Sequence, residues 1–305
     1  MAHPTDPQAA QATAGTASRD AGVLHYTAFS ASPAGGNRAG VVLDAAGLDD
    51  ARMLAVAAEV GYSETAFVTP GPSGEGPRSF AVRFFSPKAE VDFCGHALVA
   101  TAVALAERLG AGAFVFHSQV GAVPATVAVQ DGVAKATLTS VDPRVKEVAP
   151  GDLQEALAAL GWKPAELDEA LPPRIAFAGN DHLVLAAATR ERLADLDYDV
   201  DRLLALMVRL RLTTVQLVWR ESATVFHARD PFPVGGVVED AATGAAAAAF
   251  GGYARALGLV PPSAALTIHQ GHDMGRPSLL EVRLHAGDPR VRVSGAATRI
   301  TPPAS

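Results

Sequence analysis

Cysteine occurs once in the 305 residues, at Cys94, which excludes an internal disulfide and a multi-thiolate zinc site. A chain that uses no disulfide suits a reducing compartment, and a cytoplasmic location is expected on that ground. Basic residues are also in short supply: 25 Lys and Arg stand against 32 Asp and Glu, a net charge of −7. Without a basic cluster to offset phosphate, nucleic acid is excluded as the main partner. Long apolar runs are missing too. Residues 98–106 and 245–250 fall short of the ~20 residues that a membrane-spanning helix needs, so no membrane partner is expected. The first 21 residues are rich in Ala, Gln, Thr, Gly and Ser. They have no apolar signal core and no Arg-rich amphipathic pattern, and read as a disordered tail.

What is present is ordinary globular composition, 49% hydrophobic and 19% charged, in a length that suits two domains. Val23 to Phe29 reads as a strand, Gly35-Gly36-Asn37 as a turn, and Ala39 to Asp44 as the returning strand. Helical spacing follows over Asp49–Val60. Strands are expected at Thr65–Thr69 and Ser79–Phe85, split by a Pro/Gly-rich loop. A Pro- and charge-containing link is expected over 137–150, then amphipathic helices near 152–160 and 199–209. The last strand, from Val291 onward, is expected to cross back to the first half.

The chain repeats itself. In the first half Val82-Arg83-Phe84-Phe85 leads to Asp92-Phe93-Cys94-Gly95-His96-Ala97 and an apolar stretch ending at Leu109. In the second, Thr224-Val225-Phe226-His227 leads to Glu239-Asp240-Ala241-Ala242-Thr243-Gly244-Ala245 and an Ala-rich stretch ending at Leu257. Setting position 96 against position 243 gives an offset of 147 residues, a duplicated architecture rather than a solenoid period. Both stretches after the turns are apolar on nearly every face, and a helix without a polar face must be surrounded. The expected fold is α+β: two pseudo-symmetric domains, 22–136 and 137–289, each a mixed sheet rolled around a central buried helix. Residues 290–302 are expected to rejoin the first domain. Two helix N-termini facing one another would make a cleft suited to a small anion.

Five separated segments resemble the PhzF family of isomerases, which shares the diaminopimelate epimerase-like fold. They are Phe29–Asp44 with Gly36-Asn37, Ser63–Val68, Asp92–Ala97, Glu239–Gly244, and Gln270-Gly271 with Met274–Pro277. The resemblance implies a cofactor-independent, metal-free acid/base isomerase, often a homodimer, acting in a biosynthetic process such as the phenazine pathway. It matches the catalytic glutamate to Glu64, the active-site histidine to His96 and the second-half aspartate to Asp240. Three positions depart from the family, of which Arg38, where Pro is common after Gly-Asn, reads as structural. Ala241 stands where Pro is usual and Ala245 where Ser is frequent, which leaves the phenazine-pathway substrate open.

The residues carry their own chemistry. Glu64 lies between Ser63 and the apolar run Ala66-Phe67-Val68, so burial would raise its pKa and let it accept and return a proton. Read without the family, a solvated strand-end glutamate is the plainer account. His96 falls in the first turn of a helix, where the macrodipole would keep the ring neutral; a capping or core histidine is the alternative. Asp240 precedes the matching helix, where it would serve as the N-cap, fix the partner histidine or the substrate, or do both. Cys94, Gly95, Thr243, Gly244 and Ala245 are the expected substrate-binding positions, the small residues leaving backbone N–H groups open to a carboxylate. Two-thiol racemisation is excluded by the single cysteine. A Cys94/His96 dyad would gain a lowered thiol pKa from the helix end, but two residues apart on a helix the side chains diverge. His117 and His269 occupy equivalent strand positions and read as packing residues, and His182 is a candidate to line the cleft. The expected reaction moves a proton within a small carboxylic acid. The alternatives are a catalytically silent carboxylate-binding protein of the same fold and a Cys94-dependent transferase or hydrolase.

Overall fold

Strand-forming residues around a glycine turn build the expected entry hairpin. In the computed structural model, which describes residues 22–301, β1 (Leu24–Ala28) pairs antiparallel with β2 (Asn37–Val42). The tail expected over residues 1–21 lies outside the described residues. Gly36 closes the turn at φ +68°, and a Cβ there would sit 2.4 Å from the Ala28 carbonyl oxygen, so only glycine fits. Helix α1 (Asp50–Val60) starts where the Asp49 carboxylate accepts the Arg52 N–H at 2.8 Å, and ends at Gly61 in the left-handed region. Next, β3 (Glu64–Pro70) runs parallel to β2, and β4 (Ser79–Phe85) antiparallel to β3. The short β5 (Glu90–Val91) leads into α2 (Gly95–Leu109). After it β6 (Gly112–Ser118) returns parallel to β4, followed by the meander β7 (Gly121–Gln130) and β8 (Val133–Thr139).

The second half opens with β9 (Arg144–Glu147), α3 (Pro150–Leu160), β10 (Arg174–Phe177) and β11 (Asp181–Ala186). Helices α4 (Arg190–Ala194) and α5 (Val200–Leu210) precede β12 (Thr214–Arg220), which runs parallel to β11. Then the earlier order recurs: β13 (Val225–Pro231) antiparallel to β12, the two-residue β14 (Glu239–Asp240), and α6 (Gly244–Ala256). β15 (Ala264–Gln270) returns parallel to β13, and β16 (Ser278–His285) and β17 (Asp288–Arg299) close the meander. The architecture is a strand-rich, mixed sheet system with six α-helices among the described residues.

Residues 96–106 of α2 are all buried, against β1, β2, β3, β7, β8 and β17. Helix α6 is enclosed by β9, β10, β11, β16 and β17. Its small residues permit close approach: a Cβ on Gly252 would meet the Pro143 side chain at 2.4 Å. β17 touches both helices and pairs with β16, β8 and β1, so the last strand does cross back. The link expected over 137–150 is partly strand, since β8 continues to Thr139 and β9 occupies Arg144–Glu147. Its alternation, with Ala136 and Leu138 inward and Lys135 bonded outward to Glu281, was obscured by the polar residues around it. α3 and α5 pack on the outer face of β11 and β12 through Leu157, Leu203, Met207, Leu183 and Leu217. No helix among the described residues is long and apolar enough to cross a membrane.

The inner, α6-facing side of the second-half strands carries buried polar groups. His182 Nδ1 lies 2.8 Å from Thr214 Oγ1, and that hydroxyl donates to Asp230 Oδ1 at 2.9 Å. His182 is fully buried in this chain of bonds and lines none of the described cavities, contrary to the expectation for the cleft. The turn before it puts Asn180 at the cleft instead. Burial pushes the Asp230 carboxyl well above its usual value of 3.8. The unfolded chain therefore ionises first, and this group removes stability as pH rises from about 4, at about 1.4 kcal/mol per pH unit. Asp230→Asn is expected to match wild type near pH 4 and to melt at progressively higher temperature than wild type toward pH 7. Parallel melting curves across that range would refute this.

Candidate active site

The two turns that repeat in sequence meet in space. A Cβ built on Gly95 would lie 3.7 Å from the Ala245 nitrogen, so the first turns of α2 and α6 abut. Between them is a cavity of about 50 Å³, bordered by Glu64, His96, Asp240, Cys94, Phe93 and Phe232. Gly95, Asn180, Thr213, Thr243, Gly244 and Ala245 complete its wall. All eight expected positions are thus brought together. A larger mouth of about 550 Å³ shares Glu64 and Phe93 and includes the cation Lys88.

Glu64 opens β3, held against β2 by the parallel register Ala39↔Glu64. It is only 8% exposed, and its Oε2 lies 3.3 Å from His96 Nε2. Burial raises its pKa, while hydrogen bonds from Ser63 and Cys94 pull it partly back. His96 is 5% exposed, and burial lowers its pKa against the opposing charge of Asp240. The neutral ring was expected from the helix dipole; desolvation is the larger cause. Asn37 Nδ2 contacts His96 Nδ1 at 3.1 Å and donates to Asp240 Oδ1 at 2.6 Å, joining the two halves. An amide nitrogen only donates, so Nδ1 accepts and the ring proton sits on Nε2, toward Glu64 and Ser63.

Asp240 does not cap α6. The N-cap of α6 is Thr243, and no side chain caps that helix. Asp240 instead turns inward, accepting from Thr243 Oγ1 at 2.7 Å as well as from Asn37. Burial, with a contribution from the Glu64 charge, pushes its carboxyl up to about 6. The Thr243 N–H is not open to a ligand: it donates to Gln270 Oε1 at 2.9 Å, and Gln270 Nε2 donates back to the Asp240 carbonyl at 2.9 Å. Gly95, Gly244 and Ala245 stay at helix starts, where backbone N–H groups have no acceptor within the helix.

Cys94 corrects two expectations. It is the extended N-cap of α2 rather than a helical residue, so its thiol swings onto the ring, 3.3 Å from His96 Nδ1, instead of diverging. The thiol pKa is raised well above normal, by burial and then by the Glu64 charge, which removes the basis for an activated thiolate. Glu64, Cys94 and His96 also place one ligand atom each within 4.8 Å of one another. A sulfur, a nitrogen and an oxygen donor suit zinc in kind, and sequence spacing held no sign of it. Sequence reasoning also assigned no role to Asn37 or Gln270, though both lie in the segments of family resemblance. No spacing rule connects Asn37 to an aspartate 203 positions away.

A family model described as "Phenazine biosynthesis-like protein" (PhzC-PhzF) matches residues 26–301. This chain belongs to that family. An "Uncharacterized isomerase" of Deinococcus radiodurans is 33% identical over 280 residues, 88% of this chain and 90% of that protein. The trans-2,3-dihydro-3-hydroxyanthranilate isomerase of Pseudomonas chlororaphis is 31% identical over 279 residues, 89% of this chain and 95% of that protein. A solved Pseudomonas aeruginosa structure, described as a "Predicted Epimerase", superposes with TM-score 0.79 at 28% identity, covering 92% of this chain and 96% of that one. The PhzF-family chain is an isomerase.

Proposed function

We propose that this isomerase moves a proton along one face of a small carboxylic acid, with Glu64 as the shuttle and no cofactor. One observation carries the reading: a buried carboxylate of raised pKa, in contact with a neutral imidazole, borders a cavity set between two helix N-termini. A base of raised pKa can take a proton near working pH and give it back. His96, its proton on Nε2, orients the Glu64 carboxylate and polarises the substrate as charge develops. Asp240 holds Asn37, and Asn37 holds the ring. The substrate carboxylate sits at the first turns of α2 and α6, opposite the N–H groups of Gly95, Gly244 and Ala245. Proton transfer within one protein-held site requires no second thiol.

The same reading takes residues 22–136 and 137–289 as pseudo-symmetric domains wrapped on α2 and α6, with β17 returning to the first. The repeated order of strand pairing supports it. A homodimer belongs to the proposal as well. The test is a panel of small carboxylic acids in D₂O, scored by NMR for C–H exchange. Ala241 and Ala245 favour a second reading, a silent binding protein: carboxylates that stabilise the fold with no deuterium incorporation would select it.

A metal on Glu64, Cys94 and His96 would occupy the lone pairs that proton transfer uses. Dialysis against EDTA is therefore expected to leave exchange unchanged, and added Zn²⁺ to suppress it. Activity lost to EDTA and restored by zinc would replace the metal-free mechanism.

A further inference from the structure

A second cavity adjoins the first. It measures about 250 Å³ and shares Phe93, Gly95, Gly244 and Ala245 with the catalytic one, so the two meet across the glycine turns of α2 and α6. Its lining also includes Phe29, Leu138, Val141 and Val293, with Ala122 and Ala248. Of the polar side chains that line it (Thr139, Ser140 and Arg290), Ser140 and Arg290 are already engaged. Arg290 is bonded to Asp288 at 3.0 Å, and the Ser140 hydroxyl donates to the Val141 carbonyl while accepting the Val291 N–H. The chamber therefore offers a guest a mostly apolar surface, with the Arg290 guanidinium at its rim held by Asp288. At its junction with the catalytic cavity stands Ala245, where a serine hydroxyl would have made the passage polar.

We propose that this chamber receives an apolar substituent of the substrate, making the preferred substrate a carboxylic acid with a branched, extended or aromatic hydrocarbon tail. The inference rests on the proposed isomerase reading for which bond is rearranged, and on the cavity alone for what the tail is. The carboxylate stays at the helix N-termini, the labile C–H faces Glu64, and the tail runs past Phe93 and Ala245, which border both cavities, into the space beside Phe29. Gly95 and Gly244, packed against each other, border both cavities without a side chain. A Cβ on Gly244 would already sit 3.0 Å from the Phe29 ring.

The probes are 3-butenoic, 3-hexenoic and 4-phenyl-3-butenoic acids, with binding measured by calorimetry and exchange by NMR in D₂O. Burial of hydrocarbon is expected to tighten binding about fourfold per methylene, so hexenoate should bind at least about tenfold better than butenoate. Ala122→Phe fills the chamber from an exposed strand position away from the acid/base groups, and Ala248→Val does so from α6. Each is expected to erase the tail-dependent gain while leaving butenoate binding unchanged. Affinity that is flat across the series, or variants that weaken all acids equally, would overturn the assignment even if exchange occurs. Tail-dependent binding without exchange would leave the chamber assignment standing and remove the proposed proton-shuttle reading. Failure of every acid to bind would overturn both.

Discussion

Glu64→Gln lowers solvent-proton exchange into substrate by a factor of about 10²–10⁴ and leaves carboxylate binding nearly intact. The glutamine has the shape of the acid and can still meet His96 Nε2, but it cannot accept and return a proton. Binding is carried elsewhere, by the first turns of α2 and α6, which the substitution does not touch. The wild-type pH profile checks the same assignment. Burial holds the Glu64 proton above its ordinary value of 4.5, so the base is protonated and idle at low pH. Exchange should rise with pH, with a midpoint above that value, and the Glu64→Gln variant should show no such limb. Full exchange activity in the variant would place the base on another residue.

Glu239→Ala is expected to cost about 3–5 kcal/mol of stability, because it strands a buried arginine. Arg229 meets Glu239 in a two-pronged pair, Nε to Oε1 at 3.0 Å and Nη2 to Oε2 at 2.5 Å. The two side chains are 10% and 5% exposed. Removing the carboxylate leaves the guanidinium with the Ala194 carbonyl as its remaining protein acceptor among the described residues. Glu239 also precedes Asp240 on β14, so the loss should loosen the aspartate that anchors Asn37. Glu239→Gln keeps one acceptor and should cost less. Chemical denaturation of the two variants separates these cases; equal, small losses would mean that water replaces the carboxylate at no penalty.

Local order was legible wherever composition and period agreed. The helices α1, α2, α5 and α6 start and stop within a few residues of the expected positions, because caps and apolar spacing act over one or two turns. β8 and β9 were not legible, since their polar outer faces resemble a linker until a partner strand is known. The cluster of acid/base residues was recognisable from family segments, yet its wiring was not. Whether Cys94 diverges from His96 depends on one extended residue at the helix start. Whether Thr243 offers its N–H depends on Gln270, which arrives on β15.

Sequence alone determined the duplicated pattern, the two all-apolar helices and the set of titratable residues near their N-termini. These follow from side-chain type and short-range spacing, which the chain carries wherever it goes. Tertiary structure decided which atoms face one another: the Asn37 bridge between halves, the inward Asp240, the protonated thiol and the apolar chamber beside the site. Each depends on the distance and desolvation between groups up to two hundred residues apart, quantities that exist only after the two turns have been packed together.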